Sequence, residues 1–253
     1  MQYTSANTPI YYTQGNMTLI GVIHIGHWKG NPRKKSRFLR TIRDANHLIL
    51  EGNSQANKIQ INTLQSKTYE TEAYKRFKGP KHFLEENANH ANLYAIYGIE
   101  PPIQGVLEIF QIFPALLQRV TESSSFYDQV QDYLEQQKKF YPSKEEINIQ
   151  RVIKLLKRYF NESPDLEALL TLSLKYKDFK KEIRDYRIFG PNIINFDSEL
   201  SGKKVAIMGA THIEYVKRVL LGQQMPPPTR WEDRSFNSKE RRLLNSLNYP
   251  LLD

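Results

Sequence analysis

Two short stretches share the pattern Gly-x-x-His: Gly21-Val-Ile-His24 and Gly209-Ala-Thr-His212. Each closes a strongly apolar run, the first through Leu19 and Ile20, the second through Val205, Ala206, Ile207 and Met208. Runs of that kind form strands buried on both faces. A glycine at the end of such a strand lets the backbone turn or approach another segment with no Cβ in the way. A third apolar run, Leu48-Ile-Leu50, ends at Glu51. A carboxylate there is expensive to bury unless a cation or a hydrogen-bond donor meets it. Two imidazoles and one carboxylate at three strand ends, His24, His212 and Glu51, form an oxygen–nitrogen donor set suited to Mn, Fe, Co or Zn. The plainer alternative is that each histidine caps its own turn by a hydrogen bond.

Other residues compete for places around that set. His27 lies three residues beyond His24 and is either a ligand or proton shuttle, since imidazole titrates near neutrality, or a loop residue. Glu86 and His90 stand four apart in a stretch that reads as one helix from Lys81 to Tyr97. That spacing presents both side chains on one face, as a functional pair or an ordinary surface pair. Glu51 and Glu86 are the candidates for a general base. In Lys180-Lys-Glu-Ile-Arg-Asp-Tyr-Arg187 charges of both signs alternate at helical spacing. Such a segment is a solvated helix face, or it aims Arg184 at a carboxylate, a phosphate or a developing oxyanion, with Arg187 as competitor. His47 reads as structural, and His82 has no evident partner. The chain has no cysteine, which excludes thiolate nucleophiles, disulfides and thiolate–zinc sites. It also lacks a Gly-x-Ser-x-Gly elbow, a Walker loop, a Gly-x-Gly-x-x-Gly turn and a His-Glu-x-x-His helix.

The strand ends need a sheet to hold them. Pro9–Thr13 reads as a strand, Gln14-Gly15-Asn16 as a turn and Met17–Ile25 as a second strand, an N-terminal hairpin. A basic helix over about Lys34–Ala45 leads to the strand from His47 to Glu51, the spacing of a parallel crossover. From about 55 to 189 the pattern is helical, with apolar repeats around Val106–Val120, Val152–Tyr159 and Leu166–Leu174 and a more exposed helix over Tyr127–Lys139. Lys203–Met208 is the late strand, followed by a turn at Gly209–His212 and a helix from Ile213 to Leu221. Pro226-Pro-Pro228 makes Gln223–Arg234 an extended tail before a last helix over Ser238–Leu247. The expectation is an α/β fold with a mainly parallel central sheet, an N-terminal hairpin and a long helical insertion. One domain over 1–222 carries the insertion at about 55–189, and 223–253 is a C-terminal extension.

The 253 residues carry 36 Lys and Arg against 27 Asp and Glu, a balance of +9 that favours anionic partners. The excess is concentrated in Lys29, Arg33, Lys34, Lys35, Arg37, Arg40 and Arg43, with no acid between them. That run is either a solvated helix face or a surface for phosphate or nucleic acid. No apolar stretch reaches the roughly 20 residues that a membrane span needs, and residues 1–13 do not read as a secretory signal. A cytoplasmic protein without a membrane segment is the expectation.

The two Gly-x-x-His motifs, Leu48-Ile-Leu-Glu51, Arg184-Asp-Tyr186 and Val205-Ala-Ile-Met-Gly-Ala-Thr-His212 resemble the TraB/GumN/TIKI superfamily, which is related to the erythromycin-esterase and ChaN-like folds. The resemblance implies an α/β core with helical insertions and a metal-dependent hydrolase, proteolytic in the TIKI branch. It implies His24 and His212 as the motif histidines, Glu51 as the acidic residue and Arg184 as the basic one. The substrate it implies is a peptide or small molecule cleaved at an amide or ester bond, and the basic balance of the chain favours an anionic one. From the residues themselves, a basic non-catalytic protein that binds another anionic partner, or nucleic acid weakly and without specificity, is the alternative.

Overall fold

The computed structural model describes residues 9–22, 32–54, 68–99 and 165–246. His24, His27, the end of the second strand and the helices expected around Val106–Val120, Tyr127–Lys139 and Val152–Tyr159 lie outside the described residues. Within the described residues the protein is a mixed α/β structure with a five-stranded, mostly parallel sheet. By compactness the chain divides into two units, one over 1–88 and 184–227 and the other over 89–183 and 228–253.

The first unit holds the sheet. Strand β1 (Ile10–Gln14) pairs antiparallel with β2 (Met17–Val22), Ile10 opposite Gly21 and Gln14 opposite Met17. The turn between them bends through Gly15 at φ +54°, a left-handed conformation that a side chain disfavours. Helix α1 (Pro32–Arg43) leads to β3 (His47–Leu50), and α2 (Tyr69–Arg76) leads to β4 (Lys81–Phe83). The late strand β5 (Lys204–Gly209) inserts between β2 and β3, parallel to both, so the order is β1-β2-β5-β3-β4. Thus the strands bearing Gly21, Glu51 and Gly209 at or just beyond their carboxyl ends are neighbours, as the strand–helix–strand spacing implied.

Val205–Met208 of β5 and Leu48, Ile49 and Leu50 of β3 are buried, which is why these runs are apolar without alternation. On one face Ile20, Val22, Leu48, Leu50, Val205 and Ile207 pack against Phe38 and Ile42 of α1, Tyr69 and Ala73 of α2 and Phe77 just after it. On the other face Gly21 is tight: a Cβ there would stand 2.7 Å from Ile213 Cγ1 and 3.1 Å from the Ala210 Cα. The first motif's glycine is therefore a packing requirement of the turn that carries the second motif. Gly21→Ala should lower stability by about 1–3 kcal/mol through overpacking. Chemical denaturation should show it, with partial recovery when Ile213→Ala is added.

The expected single helix from Lys81 to Tyr97 is corrected. Lys81–Phe83 forms β4, a turn follows, and α3 (His90–Ile96) begins only after Asn89, whose side chain accepts from Asn92 N at 3.2 Å. The region from 55 to 189 is accordingly not helical throughout. Pairing with β3 decides the matter: Leu48 faces Lys81 and Leu50 faces Phe83. His82 gains the partner its sequence context did not suggest, since its Nε2 lies 3.2 Å from His47 Nδ1. Burial, with the His47 ring as the lesser cause, holds the His82 pKa below its usual value. The unfolded chain therefore binds the His82 proton at a higher pH than the folded chain does. Stability falls as pH drops through the ordinary histidine range and levels off below the folded pKa. His82→Asn should flatten that limb of a stability profile measured between pH 7.5 and 5; an unchanged slope would show that the limb belongs to other groups.

In the second unit, α3 and α4 (Leu166–Arg184, whose final residue belongs to the first unit) meet the segment from Pro228 onward. Trp231 is fully buried, edge-on to Phe179 with ring centres 5.2 Å apart and to Tyr176 at 6.0 Å, and its backbone N–H donates to Tyr97 O. The stretch expected as an extended tail thus supplies a core residue. A reciprocal cap starts the last described helix (Ser238–Ser246): Glu240 N donates to Asn237 Oδ1 and Asn237 N to Glu240 Oε2. Lys175 Nζ neutralises that buried Glu240 at 2.6 Å.

Candidate functional site

Glu51 follows β3 directly, and its backbone N–H continues the ladder by donating to Ile207 O at 3.1 Å. That anchors the side chain at the carboxyl end of β5. There Glu51 Oε2 accepts from Gly209 N at 2.6 Å, and Oε1 accepts from Arg184 Nη2 at 2.7 Å. The buried carboxylate is thus met by donors rather than requiring a cation, the second of the two solutions its position allows.

Arg184 is the basic residue that reaches these strand ends; Arg187 is exposed and lies over the Tyr186 ring. The selection is made by backbone geometry. After Arg184 the helix widens into a π-helical turn, Asp185–Phe189, before α5 (Gly190–Glu199). Such a turn shifts the side-chain register of a helix. The guanidinium uses Nε on Glu85 Oε1 at 2.8 Å and Nη2 on Glu51. Among the described residues Nη1 makes no hydrogen bond. The Phe189 ring lies beneath, 5.0 Å from the guanidinium carbon. Burial alone would lower the Arg184 pKa, but the Glu85 and Glu51 carboxylates outweigh it and raise the pKa above its usual value.

Asp185, next in the chain, turns the other way. Its Oδ1 lies 2.5 Å from His212 Nδ1, with Asp185 1% and His212 4% exposed. A carboxylate accepts, so Nδ1 carries the proton and Nε2 is left as the acceptor. His212 ends a single 3-10 turn, Ala210–His212, directly after β5, and Phe189 fixes its ring edge-to-face at 4.4 Å. Nε2 stands 3.9 Å from Glu51 Oε1.

The site therefore gathers Glu51, Arg184 and His212 at one sheet end, where ligands bind in open α/β folds. His24 and His27 lie outside the described residues. Glu86 is corrected: it sits in the turn before α3, not on a helical face with His90, and its carboxylate accepts from Ser54 N at 2.7 Å and Ser54 Oγ at 2.6 Å. Its work is to tie the loop after β3 to the loop after β4, alongside Glu85 N donating to Gly52 O. Glu85 and Asp185 escaped the sequence reading as functional residues. Glu85 follows a strand with no readable pattern, and Asp185 is one acid among many in the Lys180–Arg187 run. Its position beside Arg184 was the available signal.

A divalent ion between Glu51 and His212 would meet a competitor. Both Glu51 oxygens already accept from donors, and a guanidinium stands at the oxygen that faces Nε2. An ion there would face a positive charge at hydrogen-bond range. Among the described residues no three His, Asp or Glu side chains are arranged to hold a metal. With both oxygens engaged, Glu51 does not fit the role of ligand.

No protein-family model matches the chain, and searches of curated proteins and of solved structures return no match either.

Proposed function

We propose that the protein is a hydrolase of the TraB/GumN/TIKI kind, on a core of the erythromycin-esterase/ChaN-like type, cleaving an amide or ester bond at the carboxyl ends of β3 and β5. The observation that carries this reading is the buried Asp185–His212 pair with Nε2 left as acceptor. That is the arrangement a general base requires: one ring nitrogen oriented by a carboxylate, the other available to a reacting group. Nε2 takes a proton from water as the water oxygen bonds to the carbonyl carbon. The same proton then passes to the leaving nitrogen or oxygen as its bond to carbon breaks. Asp185 steadies the transient imidazolium. Arg184, fixed through Nε and Nη2, has Nη1 to offer the developing oxyanion. Glu51 and Glu85 act as its supports, and with its oxygens occupied Glu51 is a poor choice of base.

Metal-dependent hydrolysis with Mn, Co, Zn or Fe is a second reading. It is favoured by the same Asp185 contact, because carboxylates commonly orient metal-bound imidazoles through the distal nitrogen. The ligands would then be His212 and His24, with Glu51 displaced from Arg184. The test is a screen of the purified protein against p-nitrophenyl esters of short acids and a fluorogenic peptide mixture, with EDTA or each of the four metals. Hydrolysis lost in His212→Ala is the expected result. Activity resistant to EDTA supports the base mechanism, and loss to EDTA with recovery on Mn, Co, Zn or Fe supports the metal one. No turnover of any probe, or equal turnover by His212→Ala, overturns the proposal.

A further inference from the structure

Helix α1 presents an arginine row that the hydrolase reading does not use. Its apolar side chains Phe38 and Ile42 are buried against the sheet. At 100° per residue the opposite face carries Arg33, Arg37, Arg40 and Arg43, and all four are exposed. From Arg33 to Arg43 the row runs about 15 Å along the helix axis at 1.5 Å per residue. The helix contains no acid. Asp44, just past its end, pairs with Arg43 at 3.3 Å while both stay largely exposed. The guanidinium carbon of Arg37 lies over the Tyr11 ring of β1, 4.2 Å from its centre, which orders one guanidinium of the row. We propose that this outer face of α1 is a docking surface for the phosphate backbone of nucleic acid, read without sequence preference.

The face itself argues for that partner. A helix that settles on a membrane buries an apolar face in the lipid, and here the apolar face is committed to the protein core. Protein interfaces centre on a few Trp, Tyr or Arg anchors packed among apolar neighbours; the outer row of α1 supplies only exposed arginines, with no aromatic or apolar member among them. Evenly repeated guanidiniums match a chain of phosphates, each fork able to hold two oxygens of one phosphate. Side chains presented from a helix surface make no base-reading geometry by themselves, so affinity should come from charge and counterion release.

The experiment is fluorescence anisotropy of the full chain with labelled single-stranded DNA, duplex DNA and RNA across a salt series. Phosphatidylserine vesicles and a polyglutamate peptide serve as the competing partners. With about three phosphates neutralised, affinity for duplex should fall roughly 40-fold between 50 and 200 mM salt. The triple variant R33Q/R40Q/R43Q should bind at least about tenfold more weakly and lose most of the salt slope. The matched variant K78Q/K177Q/R242Q removes as much charge from exposed positions elsewhere and should bind as the parent does. Circular dichroism establishes that both variants fold. His212→Ala should bind normally, and R33Q/R40Q/R43Q should hydrolyse the screening substrates normally, so that either proposal can fail alone. No oligonucleotide binding at 50 mM salt, equal weakening by both triple variants, or binding to vesicles or polyglutamate in preference to nucleic acid overturns the inference.

Discussion

Replacing Arg184 with leucine should destabilise the first unit by about 3–5 kcal/mol, the scale seen when one partner of a buried ion pair is removed. The size follows from what is left behind. Arg184 is met by two carboxylates, Glu51 and Glu85, whose side chains are about nine-tenths buried while its own is 23% exposed. Glu51 keeps the Gly209 N–H as donor, and both acids lose the guanidinium charge that met them. Leucine occupies a similar position along the stem and covers Phe189, so loss of packing explains little of the effect. Arg184→Lys should cost less, because one ammonium can reach one carboxylate but does not reproduce the fork across both. Adding Glu51→Gln and Glu85→Gln to the leucine variant should recover much of the loss, since it removes the two carboxylate charges that had faced the guanidinium. Urea denaturation followed by circular dichroism reads all of these. A leucine variant within about 1 kcal/mol of the parent would mean that the cluster is solvated enough to need no counter-charge.

The strands that meet at the site were legible because burial on both faces leaves an unmistakable composition. Leu48-Ile-Leu50 and Val205–Met208 have no polar residue at which to hesitate, and the glycine closing the first run is explained by Ile213 and Ala210 standing against it. Strand β4 was not legible. Lys81-His-Phe83 is three residues long, partly buried and without alternation, and its extended state comes from β3 rather than from its own propensities. With β4 went Glu85, which can be recognised as a strand-end carboxylate only once the strand is known. The π-helical turn is the other hidden element. A 3.6-residue period places Arg184, Asp185 and Arg187 around one charged helix surface, whereas the widened turn sends Arg184 to Glu51, Asp185 to His212 and Arg187 to solvent. Residue types announced a charged cluster; which members faced inward depended on one hydrogen-bond register that side-chain composition does not encode.

Asp185→Asn should reduce hydrolysis by about 10³–10⁴-fold, the scale associated with a misoriented or wrongly protonated catalytic imidazole. The substitution is nearly isosteric, so packing at this buried position is preserved. Its chemistry is reversed. An amide nitrogen facing Nδ1 donates where the carboxylate accepted, which moves the imidazole proton to Nε2 and removes the acceptor that the water step needs. An amide oxygen facing Nδ1 would keep the tautomer but not the negative charge that steadies the imidazolium. Either orientation lowers kcat and leaves KM nearly unchanged, because Asp185 is 1% exposed and acts through His212 rather than on substrate. Nitrogen-15 NMR of the His212 ring gives a reading independent of turnover: the parent protein should show the Nδ1–H tautomer, and the asparagine variant a shift toward Nε2–H. His212→Ala sets the floor, and adding Asp185→Asn to it should cause little further loss, since the two residues act as one unit. Exogenous imidazole can replace the missing ring in the His212→Ala protein; rescue there should be weaker when Asp185 is also replaced, because the carboxylate that orients the ring is gone. A rate loss under tenfold with the Nδ1–H tautomer retained would make the Asp185 contact a structural cap of the turn and remove His212 from the proton's path.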